Sequence, residues 1–494
     1  MIEKLIPFKL PPGMYHNGTR YDAKGRWYDG NWVRWREGQL QAMGLFRRAR
    51  QTASSSDQAG IGALLFGRIL SLQTANGPRI VAAVVKTGSV VGLFAFDPAG
   101  SGTTWSDITP VGLTASAQWT LDVFGNLLLA QHAGQIYTWD GVLANKAVEI
   151  TGDPFGLAGA FTTPERFLVA LAPGATTDYT KVQWADQETS SVWTPTPTNA
   201  AGDINLATRG RLVGGAAAKG QSLIWTNLDV WSMTYIGGSL IYSFRQEGTG
   251  CGLIGPNASV AADGRMFWMG LNGFYVYDGF VRQLRCDVHD KIFGAGGLNR
   301  DLGSGSIFNP VTTMHMSLAG EVWWYYPNGT ATTNNSYVVY NYREDIWYFG
   351  SIDRIAGYDA GVSVLGVTST PLMLDATNGF LFEHEQNSTF TGTGHSGVSA
   401  YAESGPVEIG DGDRLMSIQR IEPDGVNLTD VQLTIFSAMD PVSSETTNGP
   451  YSLANPTDVR VKARQVRLKV SEATANTSWR LGTPRFGVIP SSRR

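Results

Sequence analysis

Cysteine is nearly absent from this chain: 494 residues contain two, Cys251 and Cys286. Two thiols cannot build a disulfide framework, and without Cys-x-x-Cys spacing they form no zinc or dithiol redox motif. They read as buried, reduced side chains of a protein made in a reducing cytoplasm. Charge is scarce too. Charged residues make up 16 % of the chain, against ~25 % in ordinary soluble domains, and the formal net charge of −4 excludes a chain that is basic throughout. Apolar runs such as Ile80 to Val85 are strand-sized, far short of the ~18 residues of a membrane helix. The opening Met1-Ile-Glu-Lys-Leu-Ile-Pro7 lacks the apolar core of a signal peptide. No stable membrane association is expected.

Catalytic signatures are missing as well. There is no Gly-x-x-x-x-Gly-Lys-Ser/Thr run, no strand–Gly-x-Gly-x-x-Gly–helix context and no Gly-x-Ser-x-Gly elbow; Leu302-Gly-Ser-Gly-Ser-Ile307 reads as a linker. The six histidines are scattered. Cys286, Asp287, His289 and Asp290 fall within five residues, and on a helix three of them share a face, but no partner motif accompanies them. Glycoside hydrolysis needs two carboxylates about 5–9.5 Å apart, and many carboxylates here sit in turn pairs such as Asp140-Gly141 and Asp278-Gly279, where turn geometry explains them. The expectation is no catalysis, no metal and no cofactor.

What the chain does have is glycine, 59 residues of it, and aromatic rings, with 15 Trp. Six Asp-Gly and six Asn-Gly pairs supply the positive-φ positions of two-residue hairpin turns. Short strands flank them: Asn126–Ala130 followed by Gln135–Gly141 reads as a hairpin, and Asp263–Met269 followed by Asn272–Gly279 repeats it. Aromatic strand centres recur at Phe96, Trp139, Trp184, Trp225, Tyr277, Tyr340 and Phe382. Four of the six intervals lie within the roughly 40–50 residues of a four-stranded propeller blade. The chain therefore reads as all-β: a β-propeller of about six blades over 51–392, an N-terminal basic and aromatic platform segment over 1–50, and a β-sandwich-like domain over 393–494 with longer alternating strands near Val426–Phe436 and Asp458–Val470. One helix is expected at Arg285–Phe293, with Asp287 and Asp290 near its start.

The first fifty residues carry ten Lys and Arg against four acids, a charge of +6, which leaves −10 on the rest. Within them Gly18 to Gly38 interleaves tryptophan and arginine. Around Asn31–Arg36 strand parity puts Trp32, Arg34 and Arg36 on one face, and Val33 and Trp35 on the other. Trp and Arg are enriched at interface hot spots, so Arg20, Arg26, Trp27, Trp32, Arg34, Trp35 and Arg36 are candidates for contact with an adaptor or a neighbouring subunit. An internal strand with paired arginines and a single-stranded nucleic-acid platform are the competing readings.

Pro11-Pro-Gly-Met14, Gly25-Arg-Trp-Tyr-Asp-Gly30 and Val33-Arg-Trp-Arg-Glu-Gly38 resemble the opening of the tail-nozzle proteins of short-tailed bacteriophages, also called tail-tube or packaged-DNA stabilisation proteins. Asp287-Val-His-Asp-Lys-Ile-Phe293, Glu321-Val-Trp-Trp-Tyr-Tyr326, Arg464-x-x-Arg467-Leu-Lys-Val and Trp479-Arg-Leu-Gly482 resemble that family as well. The resemblance implies a structural virion protein: a hexameric ring of propeller-bearing subunits below an adaptor, with genomic double-stranded DNA passing transiently through the centre and fibres or spikes docked outside. The charge split adds the expectation of a neutral or acidic lumen, with the basic head meeting an acidic ring above. The rival reading is a carbohydrate-binding or glycoside-hydrolase propeller.

Overall fold

The computed structural model describes residues 3–49, 58–98, 100, 102–152, 154–174, 178–300, 310–359, 370–386, 398–408, 412, 414–473 and 478–490. The linker-like 302–307 and the boundaries at 51 and 393 lie outside them.

Turn chemistry sets the architecture. At Ala133-Gly134 (φ 49° and 87°) and Asp263-Gly264 (φ 51° and 74°) two consecutive positive-φ residues close tight hairpins whose twist matches that of their strands. Repeated turns of this kind fold the middle of the chain into antiparallel four-stranded meanders. There are seven. Blade 1 runs from Leu64–Thr74 to Ser106–Asp107, blade 2 from Thr120–Phe124 to Val148–Glu149, and blade 3 from Gly159–Thr162 to Gly202–Asn205. Blade 4 runs from Leu212–Ala218 to Ile241–Thr249, blade 5 from Ser259–Ala262 to Val281–Gln283, and blade 6 from Thr312–Met316 to Ile346–Ser351. Blade 7 takes Ala356–Asp359, Pro371–Leu374 and Leu381–Gln386 from the end of the region, and its outermost strand, Leu45–Arg48, from the N-terminal segment. The fold is a β-propeller, and the ring is closed by a strand from the far end of the chain.

Seven blades replace the expected six or so. Each of the seven aromatic landmarks lies in a different blade, six of them on the third strand and Trp225 on the second. Counting intervals rather than landmarks loses one blade, because the ring closes.

The N-terminal segment is woven into the C-terminal sheets. Lys4–Pro7 pairs with the final strand Arg485–Pro490, Trp27–Asn31 with Tyr401–Ser404, and Gln39–Ala42 with Arg480–Leu481. Along Val431–Ala438 and Thr457–Ala463 burial alternates, the pattern of sheets packed on one face. Val431, Leu433, Ile435, Val459 and Val461 share a single core cluster with blade 5 and blade 6 residues such as Trp268 and Trp324. Apolar packing is thus continuous from the sandwich into the propeller.

The helix is shorter than expected, His289–Phe293. Val288 stands at its N-cap with no side-chain cap, while Asp287 is drawn to Arg26 at 3.1 Å.

Candidate functional site

The sequence motifs separated by hundreds of residues meet at one junction, where the N-terminal segment wedges between blades 5 to 7 and the sandwich. Gly13 adopts φ +83°, and a Cβ there would stand 2.9 Å from Ile346 Cβ, so only glycine lets the chain turn in this close. Met14 N–H then donates to Trp347 O at 2.8 Å, and His16 N–H to Asp287 O at 2.8 Å. Asn17 Nδ2 donates to Cys286 O at 2.9 Å, and Gly18 N–H to Asp290 Oδ2 at 2.8 Å. That backbone donor is the main reason the Asp290 carboxyl lies below the usual carboxylate range. Cys286, Asp287 and Asp290 are all engaged by this seam. His289 Nε2 lies 3.1 Å from Asn272 O, and burial pushes the Cys286 thiol up. Among the described residues no three His, Cys, Asp or Glu side chains stand grouped to hold a metal.

The expected single strand at Asn31–Arg36 is two strands with a break. Trp32 sits at φ 55°, because Trp27–Asn31 and Val33–Arg36 belong to different sheets and the backbone must turn between them. The two-faced alternation fails with it: Trp32, Val33, Arg34 and Trp35 are all buried. Trp32 is 2 % exposed and its ring lies against Phe46, Trp323, Tyr337 and His384. Its Nε1 donates to Gly44 O at 3.2 Å. Trp35, 1 % exposed, packs on Tyr348 and Trp27, and Trp27 is 3 % exposed.

Arg34 lies at the centre. Its guanidinium stands 3.0 Å from Glu321 and 2.8 Å from Glu385, and Glu321 also accepts from Trp323 Nε1 at 2.8 Å and Tyr348 Oη at 2.5 Å. Burial alone would drive Arg34 toward neutrality, but the two carboxylates outweigh it and hold the guanidinium charged. Glu321 is pushed up by burial and held back by Arg34 and the Tyr348 hydroxyl. A buried pair survives desolvation only when the remaining lone pairs find donors, and here they do.

Around this centre three more head cations meet acids of the chain: Arg47 on Glu383 at 2.8 Å, Lys24 on Glu408 at 2.7 Å, and the exposed Arg20 near Glu445 at 3.8 Å. Of the seven candidate interface residues, Trp27, Trp32, Arg34 and Trp35 are enclosed by the chain itself, and Arg26 is half-buried. Arg20 and Arg36 keep exposed side chains. The acids that neutralise the head were missed. Glu321, a carboxylate opening a strand buried at every position, was the one legible signal.

Two larger concavities lie on the propeller. A groove of about 400 Å³ lies between blades 4 and 5, lined by Lys219, Gln221, Arg265, Tyr277 and Asp278; in it Gln221 Nε2 donates to the Tyr277 hydroxyl at 2.7 Å. The other is an axial pit of about 260 Å³, where the first strands of blades 1 to 5 converge. Cross-axis bonds bridge one end of it: Asn257, entering blade 5, donates to Trp119 O at 2.8 Å, opposite, before blade 2. Arg68 of blade 1 donates to Thr313 O of blade 6 at 3.4 Å.

No protein family matches the sequence, and no curated protein does. Among solved structures, the extracellular domain of a one-component system from B. thetaiotaomicron is similar at 11 % identity and TM-score 0.30, over 67 % of this chain, which spans about half (54 %) of that one. U3-55K is similar at 8 % identity and TM-score 0.39, over 69 % of this chain and 98 % of its own. Aleuria aurantia lectin, solved with alpha-methyl-L-fucoside, gives 10 %, 0.31, 59 % and 96 %. None of the three reaches a TM-score of 0.5, and the architecture stands on the strand pairing.

Proposed function

We propose that this chain is a structural subunit of the tail of a short-tailed bacteriophage, one member of a ring-shaped nozzle that retains and then passes genomic DNA and carries adaptor and fibre or spike contacts. One observation carries the reading. The motifs that resemble the nozzle family lie near residues 11–38, 287–293, 321–326, 464–470 and 479–482, and they converge on the junction between propeller and sandwich. Motifs that serve chemistry gather around a cavity with convergent polar groups; these gather mainly around a tryptophan-filled seam and a buried ion cluster, and the cavity beside them, about 100 Å³, is small. Such a seam makes two domains move as one body, which suits a ring that must hold pressurised DNA. With most of the family-like tryptophans facing inward, contact with neighbouring subunits falls to surfaces that remain exposed, among them Arg20 and Arg36.

Electron microscopy of the purified protein mixed with its adaptor ring tests this. The expected result is a closed ring of this chain around an open lumen, seated on the adaptor. A protein that stays monomeric at every concentration and never joins the adaptor would overturn the reading. The groove between blades 4 and 5 favours a second reading, a sugar-binding propeller. Retention of the protein on an immobilised glycan, lost in Arg265→Ala, would select it.

A further inference from the structure

Inside the propeller two opposite charges face one cavity without touching. Arg68 and Asp122 both line the axial pit and are the only ionisable residues among the described residues of its wall. They lie close enough to influence each other's ionisation, yet no ion pair or hydrogen bond joins them. Asp122 is held from behind, its two oxygens accepting from Thr162 N–H and Val123 N–H at 2.8 Å each. Arg68 is tethered by the single long bond to Thr313 O. Asp122 is thus held in place, and small residues line the pit beside the two side chains. Gly159, Gly214 and Gly215 line it, and at Gly215 a Cβ would stand 2.2 Å from the Phe161 ring.

We propose that this pit binds a small hydroxycarboxylate, its carboxylate on the Arg68 guanidinium and a hydroxyl donating to Asp122. The chemistry narrows the class by elimination. A guanidinium presents a rigid fork of donors that matches a carboxylate, and Arg68, half-buried on the pit wall, spends only one long bond on the protein. A cation would meet Arg68 and be repelled. A doubly charged oxyanion would meet Asp122, where like charges close together are costly. A neutral polyol would leave Arg68 without a counter-charge. One negative charge plus one donor satisfies both walls. The volume, about 260 Å³, lies just below the ~300–1,000 Å³ of drug-sized pockets, so the occupant is small. This inference stands apart from the assembly role and does not depend on it.

Isothermal titration at fixed ionic strength tests it, with gluconate as probe and propionate and inorganic phosphate as comparators. Gluconate is expected to bind. Propionate, lacking the hydroxyl, should bind roughly 3–10-fold more weakly, the worth of one hydrogen bond. Arg68→Gln should abolish gluconate binding, and Asp122→Asn should reduce it toward the propionate level. Ala261→Leu, at an exposed position on the pit wall away from both charges, should block entry in a protein that melts like the parent. That keeps the proposal open to test if either charge variant fails to fold. Absence of gluconate binding to the parent, unchanged binding in Arg68→Gln or Ala261→Leu, or phosphate binding more tightly than gluconate would each overturn it.

Discussion

Arg34 illustrates how a side chain with an interface signature becomes an internal strut. Its sequence neighbours are tryptophans, and alone they look like a hot spot; in the fold the same residues are walled in by Glu321, Glu385 and the rings of blades 6 and 7. Breaking a buried pair by removing one partner strands the other charge, at a cost of about 3–5 kcal/mol. Arg34→Ala is therefore expected to lose that much in chemical denaturation. Arg36→Ala, one register step along and exposed, should stay within about 0.5 kcal/mol; equal effects would contradict the account. The histidines make a second residue-scale prediction. Desolvation is the largest influence on His16, His132, His315 and His384, and it lowers all four below 6.5. The folded state then binds fewer protons than the unfolded chain in the window just below pH 6.5. Stability is fully retained above that pH and falls as acidity increases through the window. Urea midpoints at pH 7.5 and 5.5 check this: the acidic midpoint should be lower, and a flat or rising profile would show that these imidazoles are hydrated.

At the level of elements, the blades depend on their turns. Gly264 has φ +74° and open space around its missing Cβ, the nearest atom being Lys219 Cδ at 3.6 Å. Gly264→Ala should then cost only the left-handed backbone strain, about 1–2 kcal/mol. Gly215→Ala, on the innermost strand of blade 4, should cost more, because its Cβ would stand 2.2 Å from the Phe161 ring and the ring would have to shift. Thermal melts of the two variants rank the effects, and the reverse order would refute this account of the turns. The same turns explain what was legible in the sequence. Hairpins such as Leu127–His132 with Gln135–Trp139 announce themselves through local alternation and a local turn, and the aromatic recurrence gave the propeller. Illegible were the pairings made over long separations. Leu45–Arg48 closing blade 7 and Lys4–Pro7 joining the final strand leave no local trace, because neither strand's own pattern names its partner. Arg34 could be singled out, but its acids lie 287 and 351 residues further on. Arg68, a charge inside the strand Leu-Leu-Phe-Gly-Arg-Ile-Leu, was a visible irregularity whose meaning depends on Asp122 in the next blade.

For the whole molecule, the charge split takes on a different meaning once the ion pairs are placed. The head carries +6 and the remainder −10, and opposite charges on two bodies ordinarily steer them together. Here much of that attraction is internal. Arg20, Lys24, Arg26, Arg34 and Arg47 all face acids of the propeller or sandwich. In the sandwich Arg467 is likewise engaged by Glu403 and Glu445. Cations already bonded to carboxylates contribute little to phosphate binding, because the affinity term comes from neutralising phosphates and releasing their counterions. An acidic net charge further opposes a polyanion. The free protein is therefore expected to bind duplex DNA more weakly than about 1 µM at 150 mM salt, with a shallow dependence of affinity on salt. Fluorescence anisotropy with a labelled duplex across a salt series measures both. Submicromolar affinity with a steep salt slope, lost on replacing Arg36 together with Arg460, Lys462 and Arg464, would mean that these cations grip the duplex. A conduit lined by them would then hold its DNA and release it slowly, the opposite of the sliding surface that a neutral or acidic lumen provides.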